Sequence, residues 1–271
     1  MSDRSYLWLA LAFYATSVLL TIWRLKAKGT ISSLQHVNQI VMVCGFAFHT
    51  VFLFLRGQAD GRCPLTNLFE TQAFIAWAAV LFYLLIGSSY RVSFLGAFTA
   101  PLVLVICLAA LLAHIDVPHP GQLSASPWVE FHAAIAILAY GAFALGFVTG
   151  AMYLLQERQL KKRQLSASFL LLPSIEQLDV ITFRLIVLGF GMLTVGMIGG
   201  IISYQIVGHW TRPKIVWAVT VWLLYAGVLA ARLIWSLRGR KIAVVSMMSF
   251  AFMLVTFWGV SLLSDVHSGT P

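Results

Sequence analysis

The sequence predicts an all-α membrane protein, a polytopic bundle of about eight transmembrane helices with both termini outside. Three observations carry that expectation. The 271 residues are 60% hydrophobic and only 10% charged, with a mean hydropathy of +0.89, whereas soluble domains run at roughly 45 to 50% apolar. Eight apolar stretches, at roughly 5–24, 38–56, 71–89, 93–114, 129–155, 184–207, 214–236 and 242–263, are each long enough to cross a hydrocarbon core of about 30 Å as a helix. Finally, once the spans are alternated, the 18 Lys and Arg divide 13 to 5 between the two sides. The richer side is assigned to the cytoplasm by the positive-inside rule.

Taken in order, span 1 lacks a basic leader and a small-residue cleavage site and is followed at once by Arg24, Lys26 and Lys28, so it is expected to remain a helix. Span 2 carries His49, an imidazole in hydrocarbon that needs partners for its ring nitrogens and so marks a site by default. Pro64 and Asn67 punctuate the outer connection that follows, and Glu70 opens span 3, where a carboxylate suits a helix N-terminus. Leu65, Leu68 and Phe69 either belong to that cap or fold back as an apolar shelf. Pro101 interrupts the hydrogen bonding of span 4 and predicts a kink. Span 5 opens on Trp128-Val-Glu-Phe-His132 and contains Gly146-x-x-x-Gly150; span 6 contains Gly196-x-x-x-Gly200. Both glycine pairs read as close-packing faces. Between these spans, residues 157–183 form the only long connection, a basic inner loop, with Ser174 and Gln177 spaced as a capping box for a short helix starting near Pro173. The whole of 1–271 reads as one transmembrane domain.

The charge of +9 reports topology, since no basic groove or stacking platform accompanies it; nucleic acid is not expected as a partner, and membrane lipid is. Five of the 7 histidines, His114, His119, His132, His209 and His267, fall at outer ends or in outer loops. His132 opens span 5 and His267 closes span 8, each on a helix end at a similar membrane level, where two imidazoles can ligate one metal or one haem iron. The 3 cysteines make no C-x-x-C, no zinc spacing and no C-x-x-C-H, which argues against a thiol oxidoreductase and a c-type cytochrome. Trp128, Trp210 and Trp217 suit either an interfacial belt or an aromatic setting for a ligand, and Arg56, Arg62, Arg212 and Lys214 suit either haem propionates or lipid phosphate. No Asp or Glu lies deep in a span, which disfavours an ion-coupled transporter.

The run His49-Thr-Val-Phe-Leu-Phe-Leu-Arg56, then Gly61-Arg-Cys-Pro-Leu-Thr-Asn-Leu-Phe-Glu70 and Trp77, resembles the CcsA/HemX group of cytochrome c assembly membrane proteins. Trp128 to Tyr140, Leu193 to Gln205, Pro213 to Trp222 and His267 continue the resemblance in order along most of the chain. It implies a bundle that handles non-covalent haem b and presents it outside. His132 and His267 would be the external ligands and His49 one of two intramembrane ligands, with Trp210 and Arg56 beside the haem. It implies further a cell inner membrane location, a second assembly protein with an external domain, and apocytochrome c as partners.

The sequence departs from the CcsA pattern in two places. Gly208-His209-Trp210-Thr211-Arg212 replaces a tryptophan-rich, Asp-containing segment, and the second intramembrane His falls near Ala230. The reduced pattern suits HemX-like relatives, so a non-catalytic regulator or scaffold in tetrapyrrole metabolism is the alternative. Enzyme status stays open, because no acid, base or redox thiol pair is evident.

Overall fold

In the computed structural model the backbone is described for residues 3–26, 33–65, 67–90, 95–113, 115–116, 127–163, 173–207 and 212–268. Side chains are described for these except 25–26, 33–35, 60, 87–90, 204–207, 212–214 and 261–268. Eight helices follow one another, and no strand occurs among the described residues: α1 (Asp3–Lys26), α2 (Ser33–Asp60), α3 (Leu68–Tyr90), α4 (Leu95–Leu112), α5 (Pro127–Lys161), α6 (Ile175–Val207), α7 (Arg212–Ile234) and α8 (Arg240–Ser268). All eight are long and apolar enough to cross a membrane.

Antiparallel neighbours build two four-helix groups, α1 to α4 and α5 to α8, joined where α5 packs on α3 and α4. The 35-residue α5 is the hub: it lies against α6 along most of its length and also against α8. Small residues permit this. A Cβ on Gly141 would stand 2.3 Å from the Cβ of Ala78, so α3 and α5 touch nearly backbone to backbone. Gly150 approaches the carbonyl of Ala243 on α8, where a Cβ would meet it at 3.0 Å. Gly196 and Gly200 face Ile135, Ala136 and His132 on α5. The packing role expected of the glycine pairs is therefore realised at Gly150, Gly196 and Gly200, whereas a Cβ on Gly146 would meet Ser246 at an ordinary 3.6 Å. Aromatic contacts close the second group, with Phe143 stacked on Tyr225 at 3.5 Å and Tyr140 edge-on to Phe257 at 6.3 Å.

Two boundaries differ from the sequence expectation. Residues 157–183 are not one loop: α5 runs on to Lys161, supported by the i,i+4 pair of Glu157 and Lys161 at 2.7 Å, and α6 begins at Ile175. The Ser174–Gln177 capping box is present, with both reciprocal bonds at 3.2 Å. It starts α6 itself, because nothing from Ile175 onward interrupts the helical ladder before the span. The part of this connection at 164–172 lies outside the described residues. Pro101 sits inside a continuous α4.

The two ends of the bundle are held by different polar clusters. At the end where α6 starts and α7 stops, Arg232 donates to both oxygens of Asp179 at 2.9 and 2.5 Å and to the Leu237 carbonyl at 3.1 Å, and the Gly239 amide donates to Asp179 at 2.8 Å. The turn between α7 and α8 is thereby tied to α6. The opposite end carries the candidate site.

Candidate functional site

His132 stands in the second turn of α5, partly buried, and its Nδ1 is 2.6 Å from the carbonyl oxygen of Gly196 on α6. A carbonyl can only accept, so Nδ1 carries the proton, which is where a neutral imidazole must hold it to ligate a metal through Nε2. The contact requires glycine across the interface: a Cβ at position 200 would lie 2.9 Å from both Cε1 and Nδ1 of the ring. A half-open cavity of about 260 Å³ adjoins the imidazole between α5, α6 and α7, walled by Met197, Gly200, Ile201, Ile215 and Val219. Among the described residues the lining of this cavity is apolar except for the imidazole.

His267 is helical, one residue from the end of α8, and its side chain is outside the described ones. Register still places its backbone. Counting from the Tyr140–Phe257 contact at 1.5 Å per residue, His132 lies about 12 Å and His267 about 15 Å toward the same end of the bundle. Trp210 falls outside the described residues. Trp217 hydrogen-bonds Thr256 at 3.0 Å and packs on Tyr140 and Phe257, so it belongs to the α5–α7–α8 interior, whereas Trp128 is exposed.

His49 lies in the other helix group. It is completely buried on α2, with Nδ1 3.4 Å from the Tyr14 hydroxyl on α1 and Nε2 without a hydrogen-bond partner. Phe52 flanks the ring at 6.1 Å and is itself crossed edge-on by Phe69 from α3. Phe69 and Leu68 are buried core residues at the start of α3, next to its connection with α2. Ala230, on α7, belongs to the second helix group, while α2 packs on α1, α3 and α4. Within the resembling stretch, Trp77 donates to Thr50 at 2.8 Å and stacks on Phe46 at 5.3 Å, so the fingerprint residues of α2 and α3 meet in space.

Two turns beyond His49 on the same face of α2 stands Arg56. Its guanidinium binds Glu70 at 2.8 Å, Asp3 at 3.0 Å, and Asp116 beyond α4; Asp116 in turn binds Arg4 and accepts from Asn67 at 3.0 Å. Glu70 is fully buried. Asn67 caps α3, its side-chain oxygen accepting from the Glu70 amide at 2.8 Å, which leaves the Glu70 carboxylate for Arg56. The cluster therefore knits the ends of α1, α2, α3 and α4. Among the described residues three carboxylates meet two guanidinium groups in it. Sequence reasoning singled out Arg56 and Glu70 separately and missed Asp3, Arg4 and Asp116. Residues 53 and 60 positions away in the chain give no periodic signal of pairing with Arg56.

Cys63, in the connection between α2 and α3, is half-buried. Burial first, and then the carboxylates of Glu130 and Glu70, push its thiol up to about 11. The close contact of Gly141 with Ala78, 14 and 10 residues into α5 and α3, sets the starts of these two helices at the same end of the bundle, so His132 and the Arg56 cluster share that end. Among the described residues no group of three or more His, Cys, Asp or Glu could hold a bare metal ion.

Residues 65–267 match the family described as Cytochrome C assembly protein. The chain is 30% identical to the cytochrome c biogenesis protein CcsA of Synechococcus sp. (strain CC9902), with 94% of each chain covered. It is 30% identical to protein HemX of Bacillus subtilis (strain 168), with 82% of each covered, and 30% identical to CcsA of Chlorella vulgaris, with 81% of each covered. The resemblance carried by His49 to Glu70 thus extends over the fold, and this multi-pass membrane protein belongs to the cytochrome c assembly protein family.

Proposed function

We propose that this protein binds haem b non-covalently at the outer end of the bundle and handles it for cytochrome c biogenesis in the cell inner membrane. The observation that supports the reading best is His132: an imidazole held through Nδ1 on the Gly196 carbonyl, beside an apolar half-open cavity between α5, α6 and α7. His132 and His267 are the proposed axial ligands, and His49 is a transit or second site within the bundle. Bound haem would supply the iron and vinyl groups that apocytochrome c receives. The chain's own share is to orient and shield it: Gly196 fixes the ligand tautomer, Gly200 admits the ring, and the aliphatic walls exclude water. Trp210, outside the described residues, is proposed as a haem-binding residue on the family resemblance alone. Arg56 is assigned to the ionic cluster, and any propionate contact of its own is through the groups around it. Thioether formation on the presented haem is assigned to a second assembly protein with an external domain, this chain's contribution being to position and protect the iron.

Spectra of the purified protein test this. A Soret band is expected, in the native or hemin-reconstituted protein, and His132→Ala and His267→Ala should each remove most of it without loss of helix content. A colourless protein that hemin does not reconstitute would overturn the reading. The absence of a histidine at Ala230, together with the likeness to HemX, favours a second reading as a non-catalytic regulator or scaffold. In that case the histidine variants are silent, and neutralising Arg158, Lys161, Lys162 and Arg163 abolishes function.

A further inference from the structure

We infer that the cavity beside His132 is a side portal: a planar, amphiphilic metalloporphyrin reaches the imidazole edge first from the lipid acyl chains, through the gap between α6 and α7, and not from the aqueous face. This rests on the proposed reading of His132 as a haem ligand and adds to it the medium that supplies the haem. The cavity walls belong to segments long enough to cross hydrocarbon. Ile215, Ala218 and Val219 lie in the first two turns of the 20-residue apolar span Ile215–Ile234, and Met197, Gly200 and Ile201 lie just before the end of the span Ile175–Ser203. About 20 apolar residues match the thickness of the bilayer core, so these turns stand within the leaflet at their end of the bundle, the outer one in the proposed orientation.

Toward α5 and toward the membrane centre the cavity is closed. Glycines draw α6 onto α5: a Cβ would stand 3.0 Å from Ile135 at Gly196, 3.2 Å from Phe131 at Gly199 and 2.9 Å from the His132 ring at Gly200. Trp217 closes α7 on α5 through Tyr140 at 5.9 Å. Deeper in the bundle, the Trp222 indole donates to Thr194 at 3.0 Å and lies 5.3 Å from Phe190, which ties α7 to α6. In antiparallel register from that pair, Met197 comes opposite Val219 and Ile201 opposite Ile215, so the two walls face each other across the gap outward of the tryptophan. There Ile201, Ile215 and Val219 are 60%, 41% and 39% exposed, and Ile198 and Val216 beside them are exposed as well. Acyl chains solvate such a surface, so an apolar ring can pass sideways without crossing water.

The chemistry of the lining favours the same route. Among the described residues it offers no partner for a carboxylate, which suits a porphyrin that leaves its propionates at headgroup level and enters by its apolar edge. At about 260 Å³ the cavity falls short of the roughly 300 to 1,000 Å³ that encloses a drug-sized ligand, so it grips one edge of the macrocycle and leaves the rest in the gap.

The test uses the full chain in phosphatidylcholine nanodiscs and zinc protoporphyrin IX, a fluorescent porphyrin that takes one axial ligand, delivered from porphyrin-loaded phosphatidylcholine vesicles. Val219→Trp, which fills the gap, should slow loading about tenfold or more. Ile198→Trp, an equally exposed change outside the cavity lining, should leave the rate as it is. Without porphyrin, a nitroxide on Val219→Cys in a Cys44→Ala, Cys63→Ala, Cys107→Ala protein should be relaxed by oxygen, which concentrates in hydrocarbon, and not by a water-soluble nickel chelate. Loading that ignores Val219→Trp, or a label reached by the nickel chelate in place of oxygen, would overturn the inference. Porphyrin binding that ignores His132→Ala overturns the ligand reading instead, and the spin label separates the two because it reports the gap with no porphyrin present. A parent that binds no porphyrin overturns both.

Discussion

Arg56 in the last turns of α2 donates from Nε to Oε1 of Glu70 in the first turn of α3 at 2.8 Å, and the carboxylate that receives it is completely buried. The pair bridges the connection 61–67 and anchors the other two carboxylates of the cluster. Removing one partner strands the other in a low-dielectric site, which typically costs about 3 to 5 kcal/mol. Arg56→Ala is therefore expected to destabilise the α1–α4 group strongly, while Arg56→Lys, which keeps the charge but loses the planar fork, is expected to fall between. Adding Glu70→Gln to Arg56→Ala should recover part of the loss, since it removes the stranded charge. Unfolding by SDS titration in mixed micelles measures all three; an Arg56→Ala protein as stable as the parent would refute the account.

Gly200 faces the ring of His132. Alanine there would place a Cβ 2.9 Å from Nδ1, forcing the imidazole off the Gly196 carbonyl. Overpacking of this kind costs about 1 to 3 kcal/mol, and the hemin affinity proposed for His132 should fall with it. Gly191 and Gly227 are the internal controls. Nothing lies within 4 Å of a Cβ at either, so alanine at those helix positions should gain up to about 1 kcal/mol in propensity. Equal effects at positions 200 and 191 would remove the close-packing argument.

Cys63 should be a slow nucleophile. Its thiol is pushed up to about 11 from an ordinary value of 9.0 by burial and by Glu130 and Glu70. A raised value means that the proton is held through the neutral range, so at pH 8 the thiolate fraction is about a hundredfold below that of an ordinary thiol. In a Cys44→Ala, Cys107→Ala protein, alkylation by a membrane-impermeant maleimide should be slow at pH 7 to 8 and climb until about pH 11. Half-maximal rate near pH 9 would show that the two carboxylates and the burial do not act on the sulfur.

At the other end of the bundle, Asp179 serves Arg232 twice and the Gly239 amide once. Asp179→Ala leaves the mostly buried Arg232 unpaired and frees the α7–α8 turn, with an expected cost of about 3 to 5 kcal/mol. Hydrogen exchange should then quicken at residues 235–239 while the α1–α4 group keeps its protection. Uniform loss of protection across both groups would contradict the division of the bundle into two packed halves.

By itself the sequence determined the class, the number of spans, the close-packing glycines and the family. Each of these rests on local quantities: apolar length against membrane thickness, small residues at helical spacing, and an ordered run of residue types from His49 to Glu70. It also isolated His132 and His49 as chemically exceptional. What only the tertiary structure decided is what those residues touch. Gly196 as the acceptor for His132, Tyr14 as the partner of His49, and Asp3 and Asp116 as the counter-charges of Arg56 come from other helices. Nothing in one helix's periodicity encodes the rotation and depth of its neighbour. Arg56 shows the consequence: an outer arginine read alone is free to meet a propionate, but in the folded bundle three carboxylates converge on it, because burying Glu70 requires a guanidinium within hydrogen-bond reach.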